Sequence, residues 1–221
     1  MTDGIKTEAK EKMKNNMFEF WIILIIIALI TALFEKLPEF FGAELYEETE
    51  LFGLTVKQAT TAGSLWSIVT GVISTLCSIV LVYWVLSIIR GKKCDVMDGV
   101  KFTFNHILTI TVVGIIVTFL TAIGFVLLII PGFIVALGFS QVLPYIVDNP
   151  DKGITDVIKE SWELMKGHKW EYFVFILSFI LWFILCLLVI PMIYVIPYVE
   201  FAAAIYYTRL IGEKSPKKSN E

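Results

Sequence analysis

The sequence predicts an all-α membrane protein with six transmembrane helices in three hairpins, plus amphipathic helices along the cytoplasmic face. Three observations predict this fold: the apolar composition, the spacing of long apolar segments and the placement of the basic residues. Of the 221 residues, 57% are hydrophobic and 18% are charged, and the mean hydropathy is +0.78. Soluble domains average about 45–50% apolar and about 25% charged residues. The composition therefore excludes a soluble enzyme, a disordered chain and a disulfide-stapled secreted module.

Long apolar segments mark the predicted spans, because a membrane-spanning helix needs about 20 mostly apolar residues. The first segment covers residues 18–34 and the second covers 64–89. Residues 102–147 and 172–208 are each too long for one helix. A proline interrupts each of these two segments, Pro131 in the first and Pro191 in the second, so each is predicted to form two spans joined by a tight turn.

The basic residues predict the orientation, since loops rich in Lys and Arg remain in the cytoplasm. With six alternating spans, 16 of the 18 basic residues fall on one side, and only Lys36 and Lys57 fall on the other. Both termini are therefore expected in the cytoplasm. The predicted parts are a cytoplasmic amphipathic segment (1–17), a six-helix transmembrane domain (18–210) with an acidic outer loop (35–63) and an inner interfacial helix (154–167), and a cytoplasmic tail (211–221).

The interfacial helix is predicted from the helical spacing of its apolar residues, which are separated by charged ones. Gly167 supplies a helix stop. We expect this helix to lie flat at the inner headgroup layer. Its apolar face includes Ile158, Trp162 and Met165, and Trp162 is expected to face the acyl chains.

Glu200 is the single Asp, Glu, Lys or Arg within the two long apolar segments. A carboxylate at this depth is costly unless it is paired or protonated. It can be functional, by binding a cation or carrying a proton. It can also be structural, as a neutral group hydrogen-bonded to Ser140, Gln141 or a tyrosine such as Tyr145. The structural role is favoured because no Lys or Arg lies in a span to pair with it.

Rows of small residues recur four apart in three predicted spans, and such rows allow close packing of helix backbones. We therefore expect them to form contacts between helices. The rows are Gly63, Ser67, Gly71 and Thr75; Gly114, Thr118 and Ala122; and Gly132, Ala136 and Ser140.

Several motifs stand out along the chain: the segment SWELMKGHK at 161–169, SFILW at 178–182, Pro197-Tyr198, Tyr206, Asp148-Asn149-Pro150 and the N-terminal run from Glu8 to Asn16. Together they resemble the domain-of-unknown-function 975 family of bacterial membrane proteins. The resemblance implies an integral protein of the bacterial plasma membrane with no established activity.

No catalytic, cofactor-binding or metal-binding residues are predicted, because phosphate-loop, GxSxG, HExxH and paired-cysteine motifs are absent from the sequence. No basic block indicates nucleic-acid binding. The favoured function is a non-catalytic accessory or envelope protein that binds lipid, protein partners or a second copy of itself. Immunity to a membrane-active peptide is one form of this role.

The alternative is a small-solute or ion transporter that uses Glu200 as a midplane carboxylate. A similarity between residues 127–131 (LLIIP) and 187–191 (LLVIP) supports this alternative, since transporters are often built from repeats with a site between them.

Overall fold

The computed structural model describes residues 4–42, 45–51, 54–92, 94–185 and 191–214. Within these ranges the chain is helical apart from one β-hairpin. The elements are α1 (Ile5–Phe40), β1 (Tyr46–Leu51), β2 (Leu54–Ala59), α2 (Thr61–Ile89), α3 (Val96–Asn105), α4 (Ile107–Leu127), α5 (Ile129–Phe139), α6 (Val142–Asp148), α7 (Ile154–Leu164), α8 (Lys169–Leu177), α9 (Ile180–Leu185) and α10 (Met192–Lys214).

Four helical segments in the described part of the chain are long and apolar enough to cross a membrane. They are α1, α2, α4 and the run of α5 and α6 over Ile129–Asp148. Only 11–39% of the most apolar window of each segment is buried inside the protein. Apolar helices that leave most of their surface uncovered by protein are compatible with insertion in lipid.

The third predicted hairpin is not confirmed. Residues 169–185 form two short helices separated at Ser178 and Phe179, while α10 has 23 residues and carries both Glu200 and Arg209. The predicted tip of this third hairpin at 187–190 and Cys186 lie outside the described residues. The tail from residue 215 onward also lies outside them.

The second predicted hairpin turns at Leu128, three residues before the predicted break at Pro131. Leu128 is extended (φ −165°, ψ 153°) and separates α4 from α5. Pro131 lies in the first turn of α5, where a helix tolerates proline because the first N–H groups have no intrahelical partner. The turn is tight, since a Cβ on Gly132 would lie 2.9 Å from Phe125 Cα.

The N-terminal segment leads into the first predicted span without a helix break. One continuous helix of 36 residues covers both. Ile5, Ala9 and Met13 recur four apart and are buried, so the apolar stripe of this segment packs against protein, with α10 as the main neighbour of α1.

The acidic outer loop contains structure that the sequence analysis did not predict. Its first residues continue α1 to Phe40, and β1 and β2 then pair antiparallel, with Tyr46 opposite Ala59 and Glu50 opposite Thr55. Only two residues separate the strands, which is the spacing of a tight β-hairpin. Two short stretches of strand-forming residues separated by two residues are the sequence signal that could have predicted the hairpin.

Buried side chains concentrate at one end of the helix bundle. We call this the core end, where α1 begins and α2 and α10 end. Its buried residues come from α1, α2, α7, α8 and α10 and include Trp84, Met165, Phe175, Phe201, Tyr206, Tyr207 and Leu210. At the opposite end, the tip end, apolar side chains are exposed, with Leu33 at 65% and Val126 at 87%.

Helix α7 is amphipathic, as predicted, but its apolar face meets protein. Val157, Ser161 and Met165 are fully buried, and α7 packs against α4, α5, α6 and α10. Trp162, expected to face acyl chains, is half-buried against Phe139 of α5, with 5.0 Å between ring centroids. Ile158 is also half-buried against the core. The apolar stripe is the same whether protein or lipid covers it, so the sequence pattern could not distinguish the two.

Gly138 of α5 allows the close approach of Trp162, because any Cβ at this position would overlap the indole ring. We predict that Gly138→Ala lowers the free energy of unfolding by about 1–3 kcal/mol through overpacking. In a Trp162→Leu background the same change should cost much less. Thermal unfolding in detergent measures both.

Gly71→Ala is the matched control. No packing neighbour lies within 4 Å of a Cβ at Gly71, and alanine favours helix, so this change should not destabilise the protein. Equal melting temperatures for Gly138→Ala and Gly71→Ala would contradict the packing of Trp162 on Gly138.

Candidate functional site

The break between α5 and α6 carries two of the predicted polar residues. Ser140 Oγ donates to the Leu137 carbonyl at 2.8 Å, and Gln141 Nε2 donates to Ser140 Oγ at 3.2 Å. Gln141 is buried at 2% exposure. The Tyr172 hydroxyl of α8 interacts with both residues and lies within electrostatic range of Glu200 on α10. The structure therefore groups Ser140, Gln141 and Tyr172 near Glu200.

Glu200 is half-buried in α10. Among the described residues, no side chain forms a hydrogen bond or an ion pair with its carboxylate. The nearest recorded interaction is the electrostatic one with Tyr172. Tyr172 is a polar neighbour that sequence reasoning did not name, because nothing in its spacing relates it to Glu200.

Tyr145 is engaged elsewhere than at Glu200. Its hydroxyl donates a hydrogen bond to Glu160 of α7, and Lys152 donates to the same hydroxyl at 2.8 Å. Lys152 also forms an ion pair with Glu160, and its hydrogen bond to Glu160 raises the pKa of Lys152. These three groups connect α6 to α7 at the core end.

A charged clamp joins α2, α6 and α10. Arg90, at the end of α2, donates two hydrogen bonds to Asp148, the last residue of α6, at 2.6 and 2.7 Å. The fully buried Tyr207 of α10 donates a third hydrogen bond to Asp148 at 2.9 Å. Such bidentate Arg–carboxylate pairs are among the strong hydrogen-bonded interactions in proteins. The three residues are far apart in sequence, and no local pattern connects them.

Two further interactions hold the core end. Glu8 of α1 and Arg209 of α10 form an ion pair at 2.9 Å. Lys169 Nζ lies 3.1 Å from the centroid of the Trp162 ring, and burial lowers the pKa of this lysine. Basic residues that indicated orientation in the sequence thus also connect helices in the fold.

The small-residue rows of α2 and α4 face each other, as expected, but they enclose a groove. The helices touch where a Cβ on Gly114 would lie 3.2 Å from Thr75 Cγ2. Around this contact they leave a space of about 410 Å³, which we call the α2–α4 groove. Its lining includes Ser67, Ile68, Gly71, Thr118, Phe119 and Ala122.

A second groove of about 320 Å³ lies between α1, α2 and α3, and we call it the α1–α2 groove. Its lining is almost entirely apolar and includes Ile23, Ile27, Ile30, Cys77, Val80 and Val100. The Thr103 hydroxyl in this lining donates its one hydrogen to the Gly99 carbonyl at 2.9 Å, so it has no donor left for a ligand.

No group of three His, Cys, Asp or Glu residues that could hold a metal ion is found in the described part of the chain.

A family model described as "Protein of unknown function (DUF975)" matches residues 63–214. The match covers most of the chain, including the charged clamp, the α2–α4 groove and Glu200. Comparison with curated proteins and with solved structures finds no match.

The clamp should contribute measurably to stability. Asp148→Asn removes the charge of one partner of the clamp. The side chain of Asp148 is only 16% exposed and that of Arg90 is only 31% exposed. We expect a loss of about 1–3 kcal/mol, because charged hydrogen-bonding groups lose their partner. Glu39→Gln is the matched control: it breaks the exposed Lys36–Glu39 pair and should cost less than about 1 kcal/mol. Equal effects of the two changes on thermal unfolding in detergent would show that the clamp is not stabilising.

Proposed function

The chain belongs to the DUF975 family of proteins of unknown function, and we propose that it is a non-catalytic accessory protein of the bacterial envelope that binds lipid between its helices. In this proposal it is a multi-pass protein of the plasma membrane with both termini in the cytoplasm. The four apolar helical segments support membrane insertion. The concentration of basic residues at the core end supports the orientation.

The observation that carries the proposal is the α2–α4 groove. Its volume of about 410 Å³ falls in the range of roughly 300–1,000 Å³ typical of small-molecule pockets. The hydroxyls of Ser67 and Thr75 donate to the carbonyls of Ser64 and Gly71 in their own helix, at 2.7 and 2.9 Å. The walls therefore present a mainly apolar surface, which is complementary to an acyl chain.

The charged residues of the core end support a non-catalytic role. Arg90 pairs with Asp148, Lys152 with Glu160 and Arg209 with Glu8. The first and third pairs join helices that are distant in sequence, and the second joins α7 to the loop that follows α6, so these charges hold the fold together. Protein partners, a second copy of the chain and a membrane-active peptide remain candidate partners of the exposed apolar helix faces in this proposal.

Gly71→Leu tests lipid binding in the α2–α4 groove. Space is open around a Cβ at Gly71, so leucine should fill the groove without unfolding the protein. We expect the variant to lose one retained lipid relative to wild type in native mass spectra recorded from detergent.

Ser74→Leu adds similar bulk at an exposed position of α2 outside the groove lining. This control should keep the full number of lipids. Retention of that lipid by Gly71→Leu would refute the proposed site.

Transport is the second candidate function, and the surroundings of Glu200 favour it. A half-buried carboxylate without an ion-pair partner in the described residues, next to Tyr172, is suited to proton or cation binding. Glu200 lines neither of the two grooves, so this function would use a different part of the molecule.

Flux through reconstituted vesicles distinguishes the two functions. If Glu200 carries protons or K⁺, vesicles with wild-type protein should dissipate an imposed gradient faster than empty vesicles, and Glu200→Gln should abolish the difference. Glu213→Gln, at an exposed position near the end of the same helix, should behave as wild type. Equal dissipation by wild-type and empty vesicles would remove the transport function.

A further inference from the structure

A polar pocket lies at the core end, between the first turns of α1 and the end of α2. It encloses about 280 Å³, and its lining includes Lys12, Asn15 and Asn16 of α1 and Lys92 after α2. Glu11 is the single carboxylate in the lining, so the lining has a net charge of +1 from two lysines and one glutamate. Neither lysine has an ion-pair partner among the described residues, in contrast to Arg90, Lys152 and Arg209 at the same end.

The position of Lys92 is set by the way α2 ends. Gly91 adopts a left-handed conformation (φ +71°). The Gly91 N–H donates to the Ile88 carbonyl at 3.0 Å, and the Lys92 N–H donates to the Ser87 carbonyl at 2.9 Å. These two hydrogen bonds form a Schellman motif, which turns the chain sharply out of the helix. The backbone of Lys92 is therefore held beside α1 by a specific turn.

The polar pocket and the α1–α2 groove lie on the same face of α1. Lys12, Asn16, Ile23, Ile27 and Ile30 line one or the other, and their spacings of four, seven, four and three residues are those of one helix face. The two sites therefore follow one seam between α1 and α2, with the charged site nearer the start of α1 and the apolar site nearer its centre.

The distance between the two sites matches the dimensions of a lipid molecule. Seven residues separate Asn16 from Ile23, which is about 10 Å along a helix. The headgroup layer on each side of a bilayer is about 5–8 Å thick. A phosphate held by lysines at the membrane surface would thus place an acyl chain at the level of the apolar groove.

We propose that the seam between α1 and α2 binds one anionic phospholipid, with its phosphate between Lys12 and Lys92 and an acyl chain in the α1–α2 groove. This inference rests on the proposed lipid-binding function and names the lipid class. The two ammonium groups select a negative headgroup, because each basic residue near an anionic surface contributes about 1 kcal/mol. The apolar groove distinguishes a lipid from free phosphate, since phosphate has nothing to place there.

Lipid titration of the full-length protein in detergent, followed by native mass spectrometry, tests the proposal. The probes are phosphatidylglycerol and phosphatidylcholine with identical acyl chains, and inorganic phosphate. Wild type should prefer phosphatidylglycerol, and the double variant Lys12→Gln/Lys92→Gln should reduce this preference about thirtyfold. Lys12→Arg/Lys92→Arg, which retains both charges, should preserve the preference. Lys159→Gln, at an exposed lysine of α7, should also preserve it.

A second pair of variants tests the groove. Ile30 lines it and is 39% exposed, so Ile30→Trp should fill it and weaken binding of both lipids at least fivefold. Ile25→Trp, at an exposed position outside the lining, should have no such effect.

Three other outcomes would contradict the proposed phospholipid site. An unchanged phosphatidylglycerol preference in Lys12→Gln/Lys92→Gln would overturn this inference while leaving lipid binding in place. If inorganic phosphate binds without displacing lipid, and Ile30→Trp has no effect, the polar pocket binds free phosphate. This result would overturn the proposal of a bound phospholipid. Absence of any retained lipid in wild type would refute the proposed function as well. The two failures are distinguishable, because failure of this inference alone leaves a retained lipid that Gly71→Leu removes and Lys12→Gln/Lys92→Gln does not affect.

Discussion

The fold depends on where water is excluded. Apolar side chains gain free energy by leaving water, but side chains surrounded by acyl chains gain little from packing against one another. The structure follows this difference along the length of its helices. At the core end, Trp84, Phe201 and Tyr207 are almost fully buried. At the tip end, Leu33 and Val126 stay uncovered by protein, and α2 and α4 separate enough to leave a groove. Such grooves are compatible with a membrane environment, and lipid is the occupant that we propose for them.

Polar interactions fix the relative orientation of the helices at the core end, because apolar burial has no direction. Asp148 accepts hydrogen bonds from both Arg90 and Tyr207, which relates the ends of three helices to one another. The Lys152–Glu160 pair then connects α7 to the loop that follows α6. Lys12 and Lys92 take part in no such internal pair within the described residues, and they share one pocket. The division of the basic residues between internal pairs and an open pocket connects the architecture to the lipid-binding proposal.

The apolar helices α1, α2 and α4 were predictable, because their length and composition are local properties of the chain. Family membership was also predictable from the segment at 161–169, since the match over residues 63–214 includes it. The turn at Leu128 was missed because Pro131 is acceptable in the first turn of a helix. The surroundings of Trp162 were missed because an apolar helix face carries no information about whether protein or lipid covers it. Tyr172, rather than Tyr145, lies near Glu200, and that choice depends on how α8 packs.

By itself the sequence determined the apolar segments and the resemblance to the family, and it predicted the sidedness of the basic residues, because each depends on composition or on spacing within one segment. Only the tertiary structure decided which helices enclose grooves, which charges pair with one another and which polar residues gather near Glu200. Those features join segments that are distant in sequence, such as Arg90 with Asp148 and Lys12 with Lys92. They arise when helices meet, and the periodicity of one helix does not specify its partner.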